Sequence, residues 1–197
     1  MIVRYLSHPQ VAIDPAIPVD KWGLNEEGRQ RVMALAGNMA LAQTRTVISS
    51  GEKKAVETAQ PLAEPLGLPV IIREEMHEND RSATGFLMPD EFEQVASQFF
   101  ACPDTSIRGW ERAVDAQSRI VGAVEKVLSE AGRGDVLIVG HGGVGTLLMC
   151  HIAGWPIAHD HDQPGGGGNV FAFEGGSQQL LHGWTPMERL GREGARS

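Results

Sequence analysis

Apolar positions along this chain change spacing several times, and each change marks an expected element. Ile2 to Leu6 reads as a strand that ends in Ser7-His8-Pro9. A Pro-rich loop covers 9–22. Asn25 then suits a helix N-cap, with Glu26 and Glu27 in the first turn and Val32, Leu35, Ala36 and Met39 at helical spacing. Residues 46–49 predict a strand, followed by a helix from about Glu52 that Pro61 and Pro65 should kink or end. Val70 to Ile72 predicts a third strand. Residues 73–89 show no period, yet hold Glu74, Glu75, His77, Glu78, Asp80 and Arg81; a long irregular stretch inside a compact domain is often functional. Helices are expected over 90–101 and about 110–130, the second burying Ala113, Val114, Ile120, Val124, Val127 and Leu128. Val136 to Val139 is a strand of the buried type that runs into Gly140-His141-Gly142-Gly143 and an apolar helix. A polar loop (159–164), four glycines (165–168) and strands near 169–174 and 179–184 complete the pattern.

Strands alternating with helices predict an α/β protein, a three-layer α/β/α sandwich whose mainly parallel central sheet is covered on both faces. No repeat or linker divides the chain, and 197 residues are enough for one domain with its own core. The expectation is a single domain, 1–197, with a helical insert at about 73–110.

Composition narrows the function. A net charge of −8 argues against a broad basic face for nucleic acid or an anionic membrane, while leaving room for a small phosphorylated ligand. The N-terminus lacks a signal pattern and no apolar run approaches a membrane span. Only Cys102 and Cys150 occur, which excludes a disulfide framework and favours a reduced, cytoplasmic setting. Oligomeric state is left open.

The chemistry concentrates where strands end. A strand that runs into a glycine-rich turn aims backbone N–H groups and a helix N-terminus at one point, which suits an anion. His141 adds a titratable group there, and His8 ends the first strand in a similar way, so one site at the carboxyl edge of one sheet is expected. His77, His151 and His182 lack such a context and are read as structural. Lys53 and Lys54 open a helix whose dipole they oppose, and an anionic ligand at that terminus would account for them. Gly140, Gly142 and Gly145 match a dinucleotide pattern, but 155–162 contains no strand to carry the acidic residue such a site needs. His159-Asp160-His161-Asp162 lacks a third ligand cluster and reads as a solvated acidic loop, with no metal site. Phe86, Phe92, Phe99, Phe100 and Trp110 read as core, or as an apolar wall of the site.

Taken in order, these segments resemble the histidine phosphatase superfamily, the phosphoglycerate mutase-like fold. Leu6-Ser7-His8-Pro9 stands where that family has a strand and Arg-His-Gly, and Trp22-Gly23-Leu24-Asn25-Glu26-Glu27-Gly28-Arg29 follows as its first helix opening. Ser50-Gly51-Glu52-Lys53-Lys54-Ala55-Val56-Glu57-Thr58-Ala59 is similar to the family's Ser, three residues, Arg-Ala, then Thr-Ala. Met76-His77-Glu78 resembles the proton-donor segment, and Val139-Gly140-His141-Gly142-Gly143 the second-histidine segment.

The resemblance implies that His8 attacks phosphorus, that Glu78 shuttles the proton, and that His141 completes the catalytic set without metal or cofactor. Ser7, Lys54 and Gly142 would then bind the phosphate of a small phosphorylated substrate. Three departures stand out: Ser7 and Lys54 replace arginines, and Pro9 replaces glycine. Lysine offers a point charge where arginine offers a fork. Losing one donor from such an anion hole costs on the order of 10²–10³ in rate. Arg81, in the Glu78 loop, is the candidate substitute cation. Arg4 is not, because four strand residues carry it ~13 Å back from His8. The implied activity is hydrolysis of a phosphate monoester through a phosphohistidine. The alternatives are a phosphate-ester sensor without turnover, which the lost arginines would suit, and a phosphomutase, which needs a closed pocket.

Overall fold

A computed structural model describes residues 1–191; the end of the expected domain, 192–197, lies outside the described residues. Four strands run parallel: β1 (Ile2–Ser7), β2 (Thr44–Ser49), β3 (Val70–Ile72) and β4 (Asp135–Gly140). Two more, β5 (Asn169–Glu174) and β6 (Leu180–Pro186), add antiparallel at one edge, giving the order β3-β2-β4-β1-β5-β6. The antiparallel pairing of β6 with β5 is forced, because the short turn 175–179 is a hairpin connection and a parallel return needs a dozen or more residues.

The strand alternation decides which face each side chain serves. Val3, Tyr5, Ile48, Val136, Ile138, Phe171 and Phe173 point to one face, under α3 (Pro89–Ala101), α4 (Ala113–Glu130) and α5 (Gly142–Ala153). Leu6, Val47, Leu137, Val139 and Val170 point to the other, under α1 (Glu26–Leu35) and α2 (Lys53–Ala63). The expected three-layer α/β/α sandwich is what the chain forms.

Local details follow the sequence closely. Asn25 caps α1 by accepting from the Gly28 N–H at 2.8 Å. Pro61 neither ends nor breaks α2, which runs on to Ala63. It lies in the last helical turn, where one missing N–H removes a single bond. The second expected stop does act: Pro65 opens a 3-10 turn that ends at left-handed Gly67. The helix expected from Trp110 begins at Ala113, because Trp110 itself is buried against Phe92 and Phe99. Cys102 is exposed and Cys150 buried, both as free thiols. No helix among the described residues is long and apolar enough to cross a membrane.

The Gly140-x-Gly142-x-x-Gly145 pattern has a packing origin. A Cβ at Gly140 would lie 2.2 Å from the Tyr5 hydroxyl, and one at Gly145 would lie 2.5 Å from the Tyr5 ring and 2.9 Å from Trp184. These glycines let α5 lie directly on β1 and β6.

Gly145→Ala should therefore destabilise the protein by about 1–3 kcal/mol through overpacking. Gly122→Ala, inside α4 where a Cβ meets nothing within 4 Å, should stabilise it by about 0.5–1 kcal/mol. Urea unfolding of the two variants beside the wild type checks the pair.

Candidate active site

Adjacent parallel strands deliver the two histidines. The register pairs Ser7 with Gly140, the last residues of β1 and β4, so His8 and His141 emerge side by side. The His8 N–H donates to the Gly140 carbonyl at 2.9 Å, and the two imidazole rings sit 5.3 Å apart, edge to face. Tyr5 locks the second histidine from beneath. Its hydroxyl accepts from the His141 N–H at 3.0 Å and donates to the His141 carbonyl at 3.1 Å. Burial pushes the Tyr5 phenol well above its usual range, so it remains a hydroxyl able to do both.

Nδ1 of His8 lies 2.8 Å from the Pro9 carbonyl. A carbonyl oxygen only accepts, so Nδ1 carries the ring proton and Nε2 holds a free lone pair. Burial, then His141 and the Lys54 charge, pull the His8 pKa down to about 3. The ring is neutral at any ordinary pH.

His141 is fully buried at the N-cap of α5. Its Nε2 lies 2.7 Å from Ser50 Oγ and 3.4 Å from Glu52 Oε1. Its Nδ1 is buried without a hydrogen-bond partner among the described residues. Burial lowers the His141 pKa, with Glu52 and Glu78 opposing.

Glu52 is the residue that sequence reasoning passed over. Its carboxylate is only 11% exposed and pairs with Lys54 through Oε2, while Oε1 accepts from the Glu78 N–H at 2.9 Å. Burial alone would push this carboxyl up, but the His141 ring and the Lys54 ammonium outweigh it and hold it well below the carboxylate range. Lys54 also donates to the Val19 carbonyl at 2.9 Å. The two lysines at the start of α2 did call for an anion, but the chain supplies its own: Glu52 for buried Lys54, and Glu57, 3.7 Å away, for exposed Lys53.

Glu78, the implied proton shuttle, is an ionised carboxylate in the free site. Its carboxylate lies on the N-terminus of α5 and accepts from Gly143 N–H at 3.1 Å and Val144 N–H at 2.9 Å. Burial pushes it up, but His141, Arg81 and the Val144 N–H bring the net shift down, so it is ionised. Arg119 on α4 aims this loop by donating to the carbonyls of Glu75 at 2.8 Å and His77 at 2.9 Å, with Glu111 as its counter-charge. Nothing in the sequence period distinguished that arginine.

A cavity of about 440 Å³ opens over these groups. His8, Lys54, Glu78, Arg81, Gly142 and Gly143 line it, with Phe92, Phe99, Phe100 and Trp110 as its apolar wall. Phe99, Phe100 and Trp110 serve both readings at once, since they also belong to the core, whereas Phe86 packs on Trp22 and belongs to neither. Arg81 lies 5.0 Å over the Phe92 ring and 5.6 Å over Trp110. Ser7, expected to bind phosphate, does not reach the cavity. It is fully buried and its hydroxyl is directed to Gln163 and Asn169. The loop expected to be solvated turns inward at Asp162, which accepts from Thr146 Oγ1 at 2.8 Å and lines the cavity. Burial raises its pKa.

An α/β sandwich with paired histidines at the carboxyl edge of its parallel strands is a phosphoglycerate mutase-like architecture. The chain belongs to the histidine phosphatase superfamily (branch 1), whose family model matches residues 19–183. That match starts after His8, where Ser-His-Pro departs from the family's Arg-His-Gly. Among solved structures, the chain is similar to Bacillus stearothermophilus YhfR, with a TM-score of 0.77, 24% identity, and coverage of 92% of this chain and 94% of that one. It is also similar to the mycobacterial glucosyl-3-phosphoglycerate phosphatase (TM-score 0.76, 21% identity, 94% and 98% covered). A putative alpha-ribazole-5'-P phosphatase from Escherichia coli gives a TM-score of 0.74 at 20% identity, with 97% and 99% covered. No curated protein sequence matches the chain.

The Glu52–Lys54 pair should contribute to stability as a buried ion pair does. Glu52→Gln should cost about 3 kcal/mol at neutral pH. The Glu52 carboxyl titrates lower in the folded chain than in the unfolded one. Its contribution is therefore full above the unfolded value and fades as pH falls toward the folded one. The gap between wild type and Glu52→Gln should narrow in urea titrations run at progressively more acid pH.

Proposed function

We propose that the chain, read as one domain over 1–197, hydrolyses a small phosphate monoester through a phosphohistidine on His8. The observation that carries this reading is the His8 tautomer: Nδ1–H donates to the Pro9 carbonyl, and Nε2 is an unprotonated nucleophile beside His141. Nε2 forms a bond to phosphorus as the ester oxygen leaves; water then breaks the P–N bond and restores the ring.

His141 meets the phosphoryl group through Nδ1, which has no partner among the described residues. In that tautomer the Ser50 hydroxyl donates to Nε2 and Nδ1–H donates to a phosphate oxygen, with ionised Glu52 offsetting charge that develops on the ring. Arg81 brings a guanidinium that no carboxylate pairs among the described residues. Lys54, tied to Glu52, contributes less than the arginine it replaces.

Glu78 acts as acid after substrate arrives. A phosphate dianion beside it raises its pKa by like-charge repulsion, and a phosphate oxygen at the Gly143 N–H competes with the carboxylate for that donor. An equivalent route is a monoanionic ester that brings the proton with it. The leaving oxygen then takes the proton from Glu78, and the carboxylate accepts one from the attacking water.

A binding protein without turnover is the second reading. Two observations favour it: Glu78 is ionised at the α5 N-terminus, and Lys54 is already neutralised by Glu52.

Release of phosphate from an aryl phosphate, with chelator present, tests the choice. His8→Ala should lower turnover by about 10⁴-fold or more while leaving the fold intact. Equal activity in both proteins would overturn the assignment, and phosphate binding without turnover would establish the second reading.

The pH dependence is also defined. Because the His8 pKa is pulled down to about 3, its neutral form persists far into acid, so kcat/KM should show no acid limb between about pH 5 and 7. It should fall above about pH 6, where the ester loses its second proton and ionised Glu78 has none to give. A rise in kcat/KM through pH 6–7 would contradict both assignments.

A further inference from the structure

The arginine that the family places before its nucleophilic histidine is Ser7 here, and its hydroxyl belongs to a buried hydrogen-bond relay. Asn169 Nδ2 lies 2.9 Å from the Pro164 carbonyl, which only accepts, so that end of the Asn169 amide is the donor. The same Nδ2 lies 3.2 Å from the Gln163 side chain, so the Gln163 atom facing it is the acceptor Oε1. Ser7 Oγ donates to that same oxygen at 2.5 Å and is itself held by the Asn169 N–H at 3.1 Å. A flipped Gln163 amide would set two donors against each other.

This relay fixes where the other end of the amide goes. Nε2 lies over the first residue of α5, since a Cβ at Gly142 would be 2.0 Å from it. Gln163 and Gly142 line the cavity together with His8, and Nε2 donates to no other group among the described residues. Two polar nitrogens nearby are buried without a partner among the described residues: His141 Nδ1 at the N-cap of α5, and Nδ2 of cavity-lining Asn79, whose Oδ1 is the amide atom that faces Gly143. A turn faced by an amide nitrogen that lacks an acceptor is suited to a guest carrying acceptor oxygens.

We propose that Gln163 is a phosphate-binding residue of this site, its amide N–H group donating to a non-bridging phosphate oxygen, and that Ser7 is the positioning residue that aims it. The assignment deepens the phosphatase reading and rests on it for the identity of the anion. It gives the Arg-to-Ser replacement a physical meaning. A long charged donor from β1 is exchanged for a neutral one from the 159–168 loop, and a buried hydroxyl on β1 orients it. Gly142 is required for the amide to lie there.

The probe is inorganic phosphate, measured by calorimetry and as an inhibitor of aryl phosphate turnover. Gln163→Leu removes the donor, and Gln163→Glu keeps the acceptor oxygen for Ser7 and Asn169 while turning the cavity end into an oxygen. Both should weaken phosphate binding at least about 10-fold, Gln163→Glu the more strongly, and lower kcat/KM on the order of 10²-fold. Ser7→Ala alters no cavity-lining atom, yet should weaken phosphate binding by a smaller factor by freeing the amide. Thermal unfolding accompanies each variant. Folded Gln163 variants that bind phosphate like the wild type overturn the proposal. If they do not fold, an unchanged phosphate affinity in Ser7→Ala overturns it instead. Binding that depends on Gln163 in a protein without His8-dependent turnover sustains the residue assignment and defeats the hydrolase reading, so the two failures are distinguishable.

Discussion

The pairing of β1 with β4 is the constraint on which the site depends. Parallel strands in register end at the same level, so Ser7 opposite Gly140 brings His8 and His141 to one edge. The Tyr5 hydroxyl, bonded to both the N–H and the carbonyl of His141, ties the start of α5 to the middle of β1. A one-residue slip would turn every side chain of β1 to the opposite face and separate the histidines. The buried alternation of both strands opposes that slip, because Val3 and Tyr5 serve one core while Leu6 serves the other. The hydrophobic pattern that makes the sheet thus also sets the spacing of the chemistry.

Around that pair the charges form a closed chain. Lys54 is held by Glu52, Glu52 also holds the Glu78 backbone and sits beside His141, and the Glu78 carboxylate rests on the α5 N-terminus. Each buried charge has a partner, as burial demands. An anion entering this site would meet Lys54 with its charge already offset by Glu52, while Arg81 and the Gln163 amide nitrogen have no carboxylate or acceptor partner among the described residues. That differs from an arginine-lined pocket, where cations in excess attract the anion outright. On the proposed reading, neutral amides and one stacked arginine would recognise oxygens by direction more than by charge.

Much of this was legible in the order of residues. Strand ends, the Asn25 cap, the Gly-rich turn and both histidines were readable because they rest on local rules of period, capping and turn chemistry. Glu78 was assigned from the resemblance of Met76-His77-Glu78 to the family's proton-donor segment, and Arg81 from its place three residues on in the same loop; both line the cavity. Glu52, Arg119 and Gln163 were not legible: each acts through a residue at least 25 positions away or through a hydrogen-bond relay, and no local period marks it. Ser7 was located correctly at the strand end, but the direction of its hydroxyl depends on Asn169, which arrives with β5.

The chain's own pattern settles the layers, the strand order's parallel core and the edge at which its histidines meet, because burial of alternating side chains admits few arrangements. The state of the chemical groups is a different matter. Whether Glu78 is ionised, which nitrogen of His8 carries the proton, and which end of Gln163 faces the cavity are set by partners brought together across the sheet. Desolvation and hydrogen bonding act at a few ångströms, and those distances exist only once the chain has folded.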